Sequence, residues 1–222
     1  MATSGTATFD LDIADLIEEA YERAGTEVRS GYDLRTARRS LNLLSNEWSN
    51  RGVNFWTIEE TTVAVTASDS DIVLESDTID VLDASWRTGT GTDQQDRILT
   101  RMSVNEWNAT ANKNTTSLPS RYWINRTLTP TMYLWPVPVD AGTLVYYKMR
   151  RIEDSGAYTN TFDIPPRFLP ALVSGLAFYL AQKKPELVNR LSFLKQEYEE
   201  QYRLASEEDR ERASLRLVPR IR

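Results

Sequence analysis

The sequence predicts an α+β chain: a helical bundle built from the N- and C-terminal helices, with an antiparallel β-sandwich or small barrel inserted between them. Three observations predict it. Apolar residues recur at helical spacing as far as Arg51, in short strand-like runs from Phe55 to Arg150, and at helical spacing again after Pro165 and Pro166. The expected domains are 1–56 with 151–208 for the bundle, 57–150 for the insert, and 209–222 as a C-terminal tail.

The first helix is expected from Asp12 to Ala24, with Asp12 as its cap and Gly25 as its stop. Ile13, Leu16, Ile17, Ala20 and Ala24 form its apolar stripe. A second helix, capped by Asp33, runs to Arg51 and carries Leu34, Ala37, Leu41, Leu44 and Trp48. Both stripes are narrow, so the pair needs further partners.

Seven runs rich in β-branched and aromatic residues follow, at 57–65, 71–74, 78–86, 97–102, 121–125, 132–135 and 143–150. Turn-formers separate them at 68–71, 88–96 and 140–142. Ser103 with Glu106 is a capping-box signature for one short helix before Trp107, and 108–119 reads as a long exposed loop.

Phe168, Leu169, Leu172, Val173, Leu176, Ala177 and Leu180 cover most of a helix circumference, which predicts the buried centre of a bundle. Pro185 starts the next helix, with Leu187, Leu191, Leu194, Tyr198 and Ala205 inward and Glu197, Glu199 and Glu200 outward. It fades near Asp209. Pro219 forbids a long helix in the tail.

The composition, 41% hydrophobic and 26% charged, is that of a globular chain. No apolar run approaches the roughly 20 residues that span a bilayer, and no secretory signal is visible. Cysteine and histidine are both absent, which excludes Ser–His and Cys–His catalysis, disulfides and thiolate metal sites. There is no Walker A motif and no Gly-x-Gly-x-x-Gly fingerprint. No catalytic, cofactor or metal residues are therefore expected. Asp69, Asp71, Asp77, Asp80 and Asp83 sit at strand ends and turns, where Asp supports local backbone hydrogen bonds. Trp48 and Trp107 read as core, and Trp86, Trp123, Trp135, Tyr133, Tyr146 and Tyr147 as strand packing.

The net charge of −6 is unevenly spread: residues 209–222 carry 5 basic and 2 acidic side chains, so an acidic body ends in a basic tail. An acidic body argues against wrapping or sequence-reading of DNA, since neutralising phosphates needs a dense basic face. Arginine outnumbers lysine 21 to 5, a composition suited to subunit contacts.

The stretch ADLIEEAYERAGTEVRSGYDLRTARRSLNLLSNEWSNRGVNFW, with its Trp48-Ser49-Asn50-Arg51-Gly52 turn, resembles the head-to-tail adaptor proteins of podoviruses. These include the tail tubular protein A group and the packaged-DNA stabilisation proteins. MYLWPVPVDAGTLVYYKMRRIED followed by IPPRFLPALVSGLAFYLAQKKPE is similar to the join between β-domain and C-terminal helices in such adaptors. The resemblance implies a structural head–tail connector, made in the host bacterial cytoplasm and carried in the virion. It implies a ring of copies, usually a dodecamer, between portal protein and tail nozzle or tail tubular protein, with tail fibres as a further contact. Double-stranded DNA would pass through without specific binding, and no membrane or cofactor is involved. It also implies a portal-docking tail: Leu215, Leu217, Val218 and Ile221 filling pockets, with Arg216, Arg220 and Arg222 pairing with portal carboxylates. The alternatives are a carbohydrate-binding or fibre-attachment tail component, which would use the β-domain aromatics, and a carboxylate-only cell-wall hydrolase.

Overall fold

The computed structural model describes residues 3–6, 8–52 and 55–210. The architecture is α+β: five α-helices, and strands in three sheets, among these residues. The described residues of Met1–Trp56 and Ile152–Arg222 gather into one compact unit, and Thr57–Arg151 form another. The two are taken separately.

In the helical unit, α1 spans Ile13–Ala24 and starts where the Asp12 carboxylate accepts the Asp15 N–H at 2.8 Å. The N–H groups of Ile13 and Ala14 lack partners within a helix, and the carbonyls of Asn160 and Tyr158 accept them at 2.9 and 3.0 Å. The second helix, α2, spans Gly31–Arg51. Its cap is Ser30, not Asp33: the Ser30 hydroxyl accepts the Asp33 N–H, while the Asp33 carboxylate takes the Ser30 hydroxyl at 2.9 Å and the Arg29 N–H at 3.3 Å. Asp33 is thus the acidic partner of a cap three residues earlier, and those hydrogen bonds, led by that of Ser30, hold its carboxyl below the usual range.

The helix Leu169–Ala181, α4, is buried at ten of its positions, including Ala171, Leu172, Val173, Leu176, Ala177 and Leu180. The helix Leu191–Glu208, α5, is preceded by Pro185–Arg190, which winds as a tighter 3-10 helix instead of opening the α-helix as the sequence predicts. Residues of α1, α2, α4 and α5 share one apolar cluster, which Ile152 and Phe162 join. Burying a large apolar side chain contributes about 1.5–3 kcal/mol, whereas an exposed ion pair contributes about 0–1, so this shared core dominates. Gly175 is where three helices close in. A Cβ there would stand 2.9 Å from both Leu44 Cδ2 and Tyr198 Cε2.

The β unit is a sandwich, not a closed barrel. One sheet has the order β1-β10-β3-β4, from Ile58–Val65 (β1), Thr78–Thr88 (β3), Gln95–Ile98 (β4) and Gly142–Arg150 (β10). The other has the order β2-β8-β7-β5, from Asp71–Val73 (β2), Thr100–Arg101 (β5), Arg121–Asn125 (β7) and Thr131–Trp135 (β8). Val81, Trp86, Leu144 and Tyr146 from the first meet Ile72, Tyr122, Met132 and Leu134 from the second in one core. Gly142 lets the Trp86 indole lie across β10, since a Cβ there would fall 2.4 Å from its ring.

Several sequence expectations change here. The run 97–102 breaks at buried Leu99, so that β4 joins the first sheet and β5 the second. The sandwich is not purely antiparallel: β5 pairs with β7 in parallel, as do Thr116–Ser117 (β6) and Val137–Pro138 (β9). The second of these pairs also puts strand structure into the expected loop 108–119. The capping box holds: Ser103 and Glu106 exchange both bonds at the start of α3, Val104–Ala109. Trp107, however, is half-buried and packs on Trp123 and Tyr133 instead of entering a core.

Replacing Gly175 by valine is expected to lower unfolding free energy by roughly 1–3 kcal/mol, because Tyr198 is pinned and Leu44 has little room to yield. Urea melts of the full chain followed by tryptophan fluorescence check this; an unchanged midpoint would contradict the packing described.

Candidate functional site

The expected docking residues Leu215, Arg216, Leu217, Val218, Arg220, Ile221 and Arg222 lie outside the described residues. What the structure supplies is the point from which that segment departs. Asp209, placed in the tail by the sequence reading, is buried in the helical unit, and its side chain is only 4% exposed. One carboxylate oxygen pairs with the Arg167 guanidinium; the other accepts the Phe55 N–H at 2.9 Å. Its own N–H donates to the Ala205 carbonyl at 3.0 Å, closing the last turn of α5. Arg167 in turn lies over Phe168, whose ring packs on Trp48, Trp56 and Tyr202. The start of the tail is therefore fixed by an ion pair and a backbone hydrogen bond above an aromatic cluster.

A polar chain runs beneath it. The Trp48 indole N–H donates to the Tyr198 hydroxyl at 2.8 Å, and that hydroxyl to Glu47 at 3.4 Å. Tyr179 donates to the other Glu47 oxygen at 2.7 Å. Arg51 bridges Glu47 to Glu199, reaching the latter with two nitrogens at 2.7 and 2.9 Å, and stacks over Tyr198 and Tyr202. Burial, with the bond to Glu47 second, pushes the Tyr179 phenol up to about 12, and burial raises Tyr198 further in the same direction. Neither phenol exchanges protons near neutrality. The chain is bracing between α2, α4 and α5, not acid–base machinery.

In the β unit, Asp71, Asp80 and Asp83, three of the five acids singled out in the sequence, each accept a hydrogen bond from an adjacent residue. Asp80 pairs with Arg101 at 2.8 Å and accepts the Val81 N–H; Asp83 accepts the Ala84 N–H at 2.9 Å; Asp71 accepts the Ser70 hydroxyl at 2.8 Å. Asp77 and Glu75 converge on Lys148, a buried cation on β10 that sequence reasoning missed. Among the described residues Asp209 is the sole buried carboxylate, and no group of acids is arranged to hold a metal ion. Three of the aromatics form a half-buried cluster: Trp107 stacks on Trp123 at 5.4 Å and Trp123 on Tyr133 at 5.2 Å, and Lys113 lies over Trp107. No helix among the described residues is long and apolar enough to cross a membrane.

A family model described as SU10 adaptor protein matches residues 11–220. No curated protein matches the chain.

Two outcomes follow from the anchored geometry. Asp209→Ala should cost about 1–3 kcal/mol of stability, since it strands the Phe55 N–H and the Arg167 charge; equilibrium unfolding measures it. Hydrogen bonding from Arg51 holds the Glu199 carboxyl below its ordinary range. Its contribution is therefore full above the unfolded carboxyl pKa and disappears as pH falls through the lowered folded value. Glu199→Gln should flatten the acid limb of a melting-temperature profile while leaving the neutral limb parallel to the parent.

Proposed function

The chain belongs to the SU10 adaptor protein family, and from that premise we propose that its copies form a ring between the portal and the tail nozzle of a short-tailed phage, around the DNA channel. The coarse role, a structural phage adaptor carried in the virion, comes with family membership. The match over residues 11–220 is the observation that carries the reading. The sequence resemblance to podovirus adaptors supports the portal–nozzle placement. The acidic body supports passage of DNA without gripping it, since phosphate contacts would need a basic surface.

The tail 210–222 is the docking element in this proposal. It carries four large aliphatics among arginines, with a charge opposite to that of the body. Its start is held by Asp209 against Arg167 and Phe55, so the segment would depart from a defined point. Pocket-filling aliphatics ringed by charge-assisted pairs are the ordinary chemistry of an interface hot spot.

Cryo-electron microscopy of the virion neck, with side-chain register assigned, tests the placement directly. This chain found anywhere but the portal–nozzle junction would overturn it. Deleting 210–222 retains the Asp209 anchor, so the fold should survive while docking onto the portal is lost. Normal yields of DNA-filled, tailed particles from that truncation would defeat the docking reading. Leu217→Asp with Ile221→Asp should weaken docking without moving the thermal unfolding of the isolated subunit.

A further inference from the structure

Two outward helix faces of the helical unit match each other in spacing and oppose each other in charge. On α2, Tyr32, Arg35, Arg39, Leu43 and Asn46 recur every three or four residues and lie on one exposed face. It points away from α4, because the buried residues Ala37, Leu41, Leu44 and Trp48 take the opposite side of the same helix. On α5, Phe193, Gln196, Glu200, Leu204 and Glu207 repeat the same spacing, opposite buried Leu194, Tyr198 and Ala205. Each face thus has an aromatic and a leucine three helical turns apart, with charges between them. Tyr32 and Leu43 are 66% and 53% exposed, and Phe193 and Leu204 are 60% and 49% exposed.

The charges are complementary. Arg35 and Arg39 have no ion-pair partner among the described residues. Glu200 and Glu207 are both held by Arg203, at 2.7 and 2.6 Å, on the solvent-exposed surface. An exposed pair of this kind exchanges partners at little cost, because water and salt already screen it. Scattered exposed apolar residues need no explanation, but two faces with matching aromatic–leucine spacing and opposite charge do. One chain carries both faces on separate helices, as a head-to-tail contact requires; such a contact closes into a ring when the rotation permits.

We infer that the Tyr32–Arg39–Leu43 face of α2 docks against the Phe193–Glu200–Leu204 face of α5 on a second copy of this chain. This rests on the ring reading above and assigns the surfaces that build it. The tail is left free for other partners, and the contact is heterologous, so neither face pairs with itself.

The test uses the full chain in assembled particles. The sequence has no cysteine, so introduced thiols report without background. One variant carries Leu43→Cys with Phe193→Cys, and another Leu43→Cys with Leu204→Cys, covering the two relative directions of the helices. Mild oxidation is expected to give a ladder of dimers, trimers and larger species from one variant, and none from Leu43→Cys alone. Particles that contain many copies yet give no ladder from either variant overturn the inference and leave the ring intact. Dimers from Leu43→Cys alone overturn it in favour of a symmetric contact. A single copy per particle overturns the ring reading itself, and the inference with it. In a second arm, Arg39→Glu and Glu200→Arg should each lower incorporation about tenfold. Co-expressed, the two restore it, because each chain then offers the face its neighbour needs. Normal incorporation of either variant alone, or no rescue on mixing, would count against the contact. Unchanged thermal unfolding of both purified variants shows that the loss lies in association.

Discussion

The burial of α4 is the constraint on which the helical unit depends. A helix without a polar side needs apolar neighbours around it, and no single helix of this chain supplies enough. α1 and α2 come from the N-terminal part, α5 from the C-terminal part, and all three pack on α4. The chain between them must therefore leave and return. Its return is tied down by polar bonds: Asn42 accepts the Ser155 N–H and hydroxyl at 2.9 and 2.6 Å, and Asn160 and Tyr158 complete the start of α1.

Around that core, specificity comes from a few polar links between surfaces that apolar packing alone would leave free to slide. Trp48, Tyr198, Tyr179, Glu47 and Arg51 form one connected set in which nearly every donor is committed. Such a set fixes the rotation of α2 and α5 about their own axes, and hence which residues each turns to solvent. In the β unit, Lys148 has the same part. Its ammonium group gathers Glu75 and Asp77 from the turn between β2 and β3, which ties that turn to β10.

The α+β class was legible because the apolar period changes twice, and because the caps at Asp12 and Ser103 are local, three-residue signals. What escaped the sequence depends on partners far along the chain. Ser30 and Asp33 both suit a cap, and only the turn geometry chooses between them. The break at Leu99 follows from which sheet each half can reach, and composition does not encode that. Lys148 reads as an ordinary strand residue until the register places it inward. The arrangement at Asp209 joins residues 42 and 154 positions away, so no local pattern announces it. The tail's aliphatic–arginine composition was visible in the sequence; the way its first residue is fastened was not.

That fastening has a mechanical consequence. A segment attached only through the last turn of a helix peels when pulled, breaking one hydrogen bond at a time. Here tension applied at residue 210 reaches Asp209 first, and from there passes to Arg167 beside α4 and to the Phe55 backbone after α2. Load is shared among three stretches of chain and must break two attachments together before α5 can unwind. An attachment of this kind fails late and all at once, where a helix end held by its own hydrogen bonds alone would fray early.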